Sequence, residues 1–135
     1  MNRMSGPERT EPPFHDLLGL RCVQRGDSKA RYELTVGPQH LNRRGVAHGG
    51  VIAGLLDAAL GTAVVSGITQ EEWCGTMELS IQFREPILQG PITAEGRMAR
   101  RGRTAAFAEG EARDASGQVL ATAHGVWTIW PSRPR

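Results

Sequence analysis

Residues 44–67 read RGVAHGGVIAGLLDAALGTAVVSG. Ile52, Leu55, Leu56, Ala59 and Ala63 recur at helical spacing, so the pattern predicts one long helix from Gly50 to about Ser66. Asp57 is the single charged residue between Val51 and Val65. Its helical neighbours Ala53, Gly54 and Gly61 are all small. Glycine inside a helix costs about 1 kcal/mol relative to alanine. Two glycines beside one carboxylate therefore imply that a backbone or a ligand approaches that face closely. An unpaired carboxylate in a dry place is costly to ionise, and proteins keep one mainly where it works. The competing reading is a carboxylate that caps a loop or pairs with an arginine at a subunit contact.

His48, Gly49 and Gly50 stand where this helix begins. The first N–H groups of a helix lack intrahelical partners and carry the positive end of its dipole. Glycine lets a ligand come near, and such an N–H suits a developing oxyanion. Gly49 is the candidate donor; the plain alternative is a helix-entry turn. Gly49 and Asp57 lie eight residues apart, roughly 12 Å along a helix axis at ~1.5 Å per residue. One chain cannot bring both to the same atom. Two antiparallel helices related by a two-fold axis could, making two identical sites.

Outward from the helix, the pattern is mostly strands. Arg31–Val36 alternates and reads as a strand, with a possible helical turn before it at Phe14–Leu20. After the helix, Thr76 to Phe83 alternates strictly. Met77, Leu79, Ile81 and Phe83 share one face, and Thr76, Glu78, Ser80 and Gln82 the other. Ile92–Arg100, Thr104–Arg113 and Val119–Trp130 follow, separated by turn signals. About five strands in an antiparallel meander with one helix on a face make an α+β architecture. The 135 residues fit one domain, with residues 1–13 and 131–135 expected as flexible tails.

Composition narrows the function classes. The net charge is +2 and the arginines are scattered, so nucleic acid is not the expected partner. No leader-like apolar segment opens the chain, and Val51–Ile68 is too interrupted to be read as a membrane span. Cys22 and Cys74 lie far apart without metal-ligand spacing, as expected of reduced thiols in a cytoplasmic protein. Cys74 lacks a supporting His/acid arrangement for nucleophilic work. A Ser66–His48–Asp57 triad fails because His48 and Asp57 would lie near opposite helix faces. His15, His40 and His124 show no partner spacing.

The stretch NRRGVAHGGVIAGLLDAALGTA resembles the motif region of hotdog-fold acyl-CoA thioesterases of the phenylacetate-pathway (PaaI-like) type. Its pattern here is Asn42, Gly45, His48-Gly49-Gly50 and Asp57, and the likeness continues through GTMELSIQFREPI and ARRGRTAAFAEGEARDASGQVLATAHGVW. The resemblance implies a hotdog fold, in which a five- to six-stranded antiparallel sheet wraps a long helix. It further implies a homodimer or dimer of dimers that hydrolyses an acyl-CoA to free acid and CoA, without metal or other cofactor. Carried over, the Gly49 N–H polarises the thioester carbonyl, and Asp57 of the other chain is general base or nucleophile. Asn42 helps place water or the carbonyl, Thr76 stands where the family often has a hydroxyl near the carboxylate and positions water, and His48 orients the helix start. Gly50, Ala53, Gly54, Leu60 and Gly61 would line the substrate. Related sequences often carry phenylalanine at the positions of Ala53 and Leu60, which implies a reshaped acyl pocket here. Arg101, Gly102 and Arg103, with Arg100, would meet CoA phosphates, unless they form only a solvated hairpin turn. Two other readings are a non-catalytic acyl-CoA-binding hotdog protein and a hotdog hydratase or dehydratase.

Overall fold

The computed structural model describes residues 11–135. Short helix α1 (Pro13–Leu18) leads into strands β1 (Arg21–Gly26) and β2 (Lys29–Val36). Long helix α2 (Gly49–Ser66) follows, then β3 (Trp73–Phe83), β4 (Gly90–Arg101), β5 (Ala105–Asp114) and β6 (Val119–Trp130). The six strands form one antiparallel sheet in the order β1-β2-β4-β5-β6-β3. This is the expected α+β architecture, a sheet wrapped around one helix. It is not a simple meander, because β3 lies beyond β6 at the far edge.

The expected tail at residues 1–13 lies outside the described residues up to position 10. The Cys22 N–H donates to Glu11 Oε1 at 2.7 Å, and Pro13 opens α1. In the C-terminal tail, the Arg133 guanidinium stands 5.3 Å from the centre of the Trp73 ring.

β1 was not expected, and its hairpin explains why. Gly26 pairs with Lys29, leaving the two-residue loop Asp27-Ser28 with φ of 52° and 62°. Positive φ at both central residues defines the type I′ turn, which normally announces itself with Asn-Gly or Asp-Gly. β1 is also an edge strand with no fully buried residue, so it carries no apolar alternation.

α2 has the length and mean hydropathy (1.6) of a membrane-crossing segment. In the fold its apolar residues meet the sheet instead: Val51, Ile52, Leu55, Leu56, Ala59, Leu60, Ala63 and Val64 are buried. The helix comes unusually close to β4. A β-carbon at Gly96 would lie 2.6 Å from the Ala59 carbonyl oxygen and 2.8 Å from the Leu60 nitrogen. Those are backbone atoms, which cannot swing aside. Gly96→Ala should therefore force helix and sheet apart and destabilise the fold by about 1–3 kcal/mol. Urea unfolding of the variant beside wild type measures this; an unchanged midpoint would show that the contact is slack.

Candidate active site

The segment before α2 is held from several sides. Pro38–His40 forms a single 3-10 turn. His40 is buried, accepting from the Gly37 N–H at Nδ1 (2.9 Å), with Nε2 2.7 Å from the Leu18 carbonyl oxygen. Both ring nitrogens are thus used in structure, as the lack of partner spacing suggested. Asn42 Oδ1 accepts from the Arg44 N–H at 2.8 Å and the Val46 N–H at 3.4 Å. Those backbone donors fix the amide orientation and fold the loop around Gly45, whose φ is 80°. The Asn42 amide NH2 has no partner among the described residues. The Ala47 N–H donates to the Ile87 carbonyl and the His48 N–H to the His40 carbonyl.

The chain enters α2 from this frame. His48 is the N-cap, its Nδ1 accepting from the Gly50 N–H at 2.8 Å. An accepting Nδ1 leaves the proton of the neutral ring on Nε2. The Val51 N–H donates to the His48 carbonyl. The Gly49 N–H has no acceptor among the described residues. His48 therefore organises the helix start, occupying the Gly50 donor and leaving that of Gly49 open. The Phe83 ring closes over this point, with Cζ 3.4 Å from where a Gly49 β-carbon would be. The alternation of β3 marked Phe83 only as one of four apolar residues sharing a face, and it is 57% exposed.

Asp57 is half-buried on α2, and the Thr76 hydroxyl donates to its Oδ1 at 2.8 Å. Strict alternation puts Thr76 on the face opposite Leu79 and Ile81. The register corrects this: Thr76 pairs with Trp127, but Glu78 pairs with Val126. Met77 is thus an extra residue in the strand, a β-bulge. It turns Thr76 onto the helix-facing side that Leu79 and Ile81 also occupy. One acceptor-donor pair, from helix and edge strand, holds the carboxylate in place.

Other expected site residues are distributed differently. The space beside Gly54 is filled by α1 of the same chain, since a β-carbon there would lie 2.9 Å from Leu18 Cδ1. The space beside Gly61 is filled by the Trp127 indole, with Nε1 at 3.3 Å. These glycines admit side chains of their own chain, not the foreign backbone or ligand expected from the sequence. Leu60 is wholly buried between helix and sheet, near Gly110, and has no surface to offer a substrate. Gly50 is exposed, and Ala53 half-exposed, on the helix face that carries Asp57.

Arg101 forms a two-pronged ion pair with Glu72, Nη1 lying 2.8 Å from Oε1. Gly102 closes the β4–β5 turn by donating its N–H to the Ala105 carbonyl. Arg101 is thus already matched, whereas Arg100 and Arg103 make no ion pair among the described residues. Cys22 and Cys74 are free thiols, both pushed up by burial. Burial also raises the Tyr32 hydroxyl to about 12, although its oxygen lies 3.1 Å from that of Thr62. Among the described residues no three of His, Cys, Asp and Glu form a metal-ligand group.

A free N–H at a helix start and a threonine-held carboxylate are the parts needed for addition of water to a carbonyl. Both lie on a helix wrapped by the antiparallel sheet of a hotdog frame. The family model described as "Thioesterase superfamily" matches residues 44–121. A Saccharolobus solfataricus protein named "Putative esterase" is 34% identical, over 84% of this chain and 80% of its own. A conserved protein of Pseudomonas aeruginosa superposes with a TM-score of 0.86 at 27% identity, covering 92% of this chain and all of that one. The PaaI protein of the E. coli phenylacetic acid degradation operon shares the fold at a TM-score of 0.80 and 23% identity, over 87% and 83% of the two chains. The chain belongs to the thioesterase superfamily, and it is a hotdog hydrolase of that class.

The Arg101 guanidinium holds the Glu72 carboxyl down at about 2, below its usual 4.5. A lowered carboxyl favours the folded state above the ordinary carboxylate range, and this contribution fades as pH falls through about 2. Arg101→Gln should return the Glu72 titration towards 4.5, read by NMR of the side-chain carboxyl. A midpoint that stays near 2 would show that Thr69, not Arg101, holds it down.

Proposed function

We propose that the protein hydrolyses an acyl-CoA thioester in a site shared by two protomers, with Asp57 from one and the Gly49 N–H from the other. The observation that carries this is the unpaired Gly49 N–H, set free by the His48 cap. It lies roughly 12 Å along the helix from Asp57, beyond the reach of one carbonyl in one chain.

The sheet edge supports the two-chain arrangement. Among the described residues β3 pairs only with β6; it is eleven residues long and exposes two large apolar side chains, Met77 at 64% and Phe83 at 57%. An edge of that kind invites pairing with another strand. Thr76 sits on this same strand, so a second copy docked there brings its own helix start towards Asp57.

In the proposed reaction, the Asp57 carboxylate takes a proton from water as the water oxygen bonds to the thioester carbon. The carbonyl electron pair moves onto oxygen, where the partner's Gly49 N–H stabilises it. Collapse breaks the carbon–sulfur bond, and the departing CoA thiolate takes the proton held by Asp57. Thr76 keeps the carboxylate aimed and the Asn42 amide is left to meet water or carbonyl. Direct attack by Asp57, through an anhydride that water then opens, uses the same groups. Arg100 and Arg103, rather than Arg101, are proposed to meet the CoA phosphates.

Thiol release from a panel of acyl-CoAs tests this with two variants. Asp57→Asn should fold and lose on the order of 10²-fold or more in kcat. Gly49→Pro replaces the N–H with a ring carbon, and its β-carbon would meet Phe83 Cζ at 3.4 Å, an ordinary contact distance. Proline is accepted at the first helical position, and His48 already has the extended conformation (φ −59°, ψ 137°) that a following proline requires. Its turnover should fall by about 10²–10³-fold without loss of stability. Full activity in either variant would refute the assigned roles. Tight acyl-CoA binding without any hydrolysis by wild type would favour the non-catalytic reading.

A further inference from the structure

α1 is an odd element for a fold to keep. None of its residues is buried, yet it carries Phe14, Leu17 and Leu18, with Phe14 56% and Leu17 77% exposed. A six-residue helix has too few internal hydrogen bonds to stand alone. It is pinned instead from both ends. Glu11 Oε1 accepts from the Cys22 N–H at 2.7 Å, and Glu11 Oε2 lies 3.0 Å from His15 Nδ1. At the other end, His40 holds the Leu18 carbonyl at 2.7 Å, and the Leu20 N–H donates to the His15 carbonyl at 2.9 Å. These contacts hold Leu18 against the edge of the core and leave Phe14 and Leu17 exposed.

What they face is the helix surface next to Asp57. A β-carbon at Gly54 would lie 2.9 Å from Leu18 Cδ1 and 3.7 Å from the Phe14 ring at Cε1. Gly54 precedes Asp57 by three residues, which puts it on the same face about 4.5 Å towards the helix start. An apolar wall therefore stands one turn from the carboxylate, against a glycine that lets it come close.

We infer that Phe14 and Leu18 of α1 form a wall of the acyl pocket, selecting medium-chain or aryl acyl groups over short ones. This rests on the acyl-CoA reading of the Asp57 site. The reach of the acyl group makes the selection. An acetyl group ends one carbon–carbon bond, about 1.5 Å, past the carbonyl carbon and does not cross a helical turn. Octanoyl and phenylacetyl groups do, and they bury apolar surface against the ring.

The test compares kcat/KM for acetyl-, octanoyl- and phenylacetyl-CoA in wild type, Phe14→Ala and Phe14→Leu. Phe14→Ala should lose about tenfold on the two longer substrates and stay within about twofold on acetyl-CoA. Phe14→Leu should fall between. A merely structural role would depress all three substrates together, so equal losses, or none, would overturn the inference. Loss of the dimer in Phe14→Ala at equal protein concentration would assign α1 to a subunit contact and also overturn it. Calorimetric binding of acetyl- and octanoyl-CoA to Asp57→Asn, with and without Phe14→Ala, separates this from the parent reading. Length-dependent weakening without any wild-type hydrolysis would sink the thioesterase assignment and leave the wall standing. Length-independent binding would sink the wall.

Discussion

Eight residues of helix separate Gly49 from Asp57, and side-chain rotation cannot close the roughly 12 Å between them. The rest of the proposed site depends on that length. If both groups act on one carbonyl, they come from two helices, and the helices come from two copies of the chain. A rigid α2 makes this arrangement reproducible. Its core-facing side is sealed by Leu55, Leu56, Ala59 and Leu60, and its start is tied through His48 to His40. The donor and the carboxylate are thus fixed on a helix half of whose residues are buried, which suits a site that relies on preorganised dipoles.

Local devices then refine what the helix sets up. The His48 side chain takes the Gly50 donor, while the Gly49 donor has no acceptor among the described residues. The bulge at Met77 rotates Thr76 by one strand face, which is the difference between a surface hydroxyl and one bonded to Asp57. Both devices sit at boundaries, a helix start and a sheet edge. There the backbone has spare hydrogen-bonding groups to offer a ligand or a second chain.

Much of this was legible in the sequence, for physical reasons that can be named. α2 announced itself through apolar spacing and was placed within one residue of its true start at Gly49. β2, β4, β5 and β6 followed from alternation and turn residues, with ends displaced by a residue or two. β1 escaped because an Asp-Ser turn adopts positive φ without glycine and because an edge strand shows no burial pattern. The position of β3 escaped because sequence order says nothing about which edge a strand joins. Of the candidate site, family likeness put the Thr76 hydroxyl near the carboxylate as a water-positioning group, while the bulge that lets it bond Asp57 leaves no mark in a period-2 pattern. Gly54 and Gly61 were rightly seen as points of close approach. What approaches them, Leu18 and Trp127, lies 36 and 66 residues away in the chain and is invisible to local reading. The Glu72 pairing that removes Arg101 from the free basic turn is non-local in the same way.

The most direct test of the shared site is complementation between two inactive chains. Asp57→Asn keeps a working Gly49 donor, and Gly49→Pro keeps a working carboxylate. If each site draws one group from each protomer, mixing equal amounts under exchange conditions makes heterodimers with one intact site. Random pairing then returns about a quarter of wild-type turnover from two dead proteins. If Gly49 and Asp57 of a single chain served the same site, every site in the mixture would stay defective. No recovery of activity, in mixtures where exchange is demonstrated, would contradict the account.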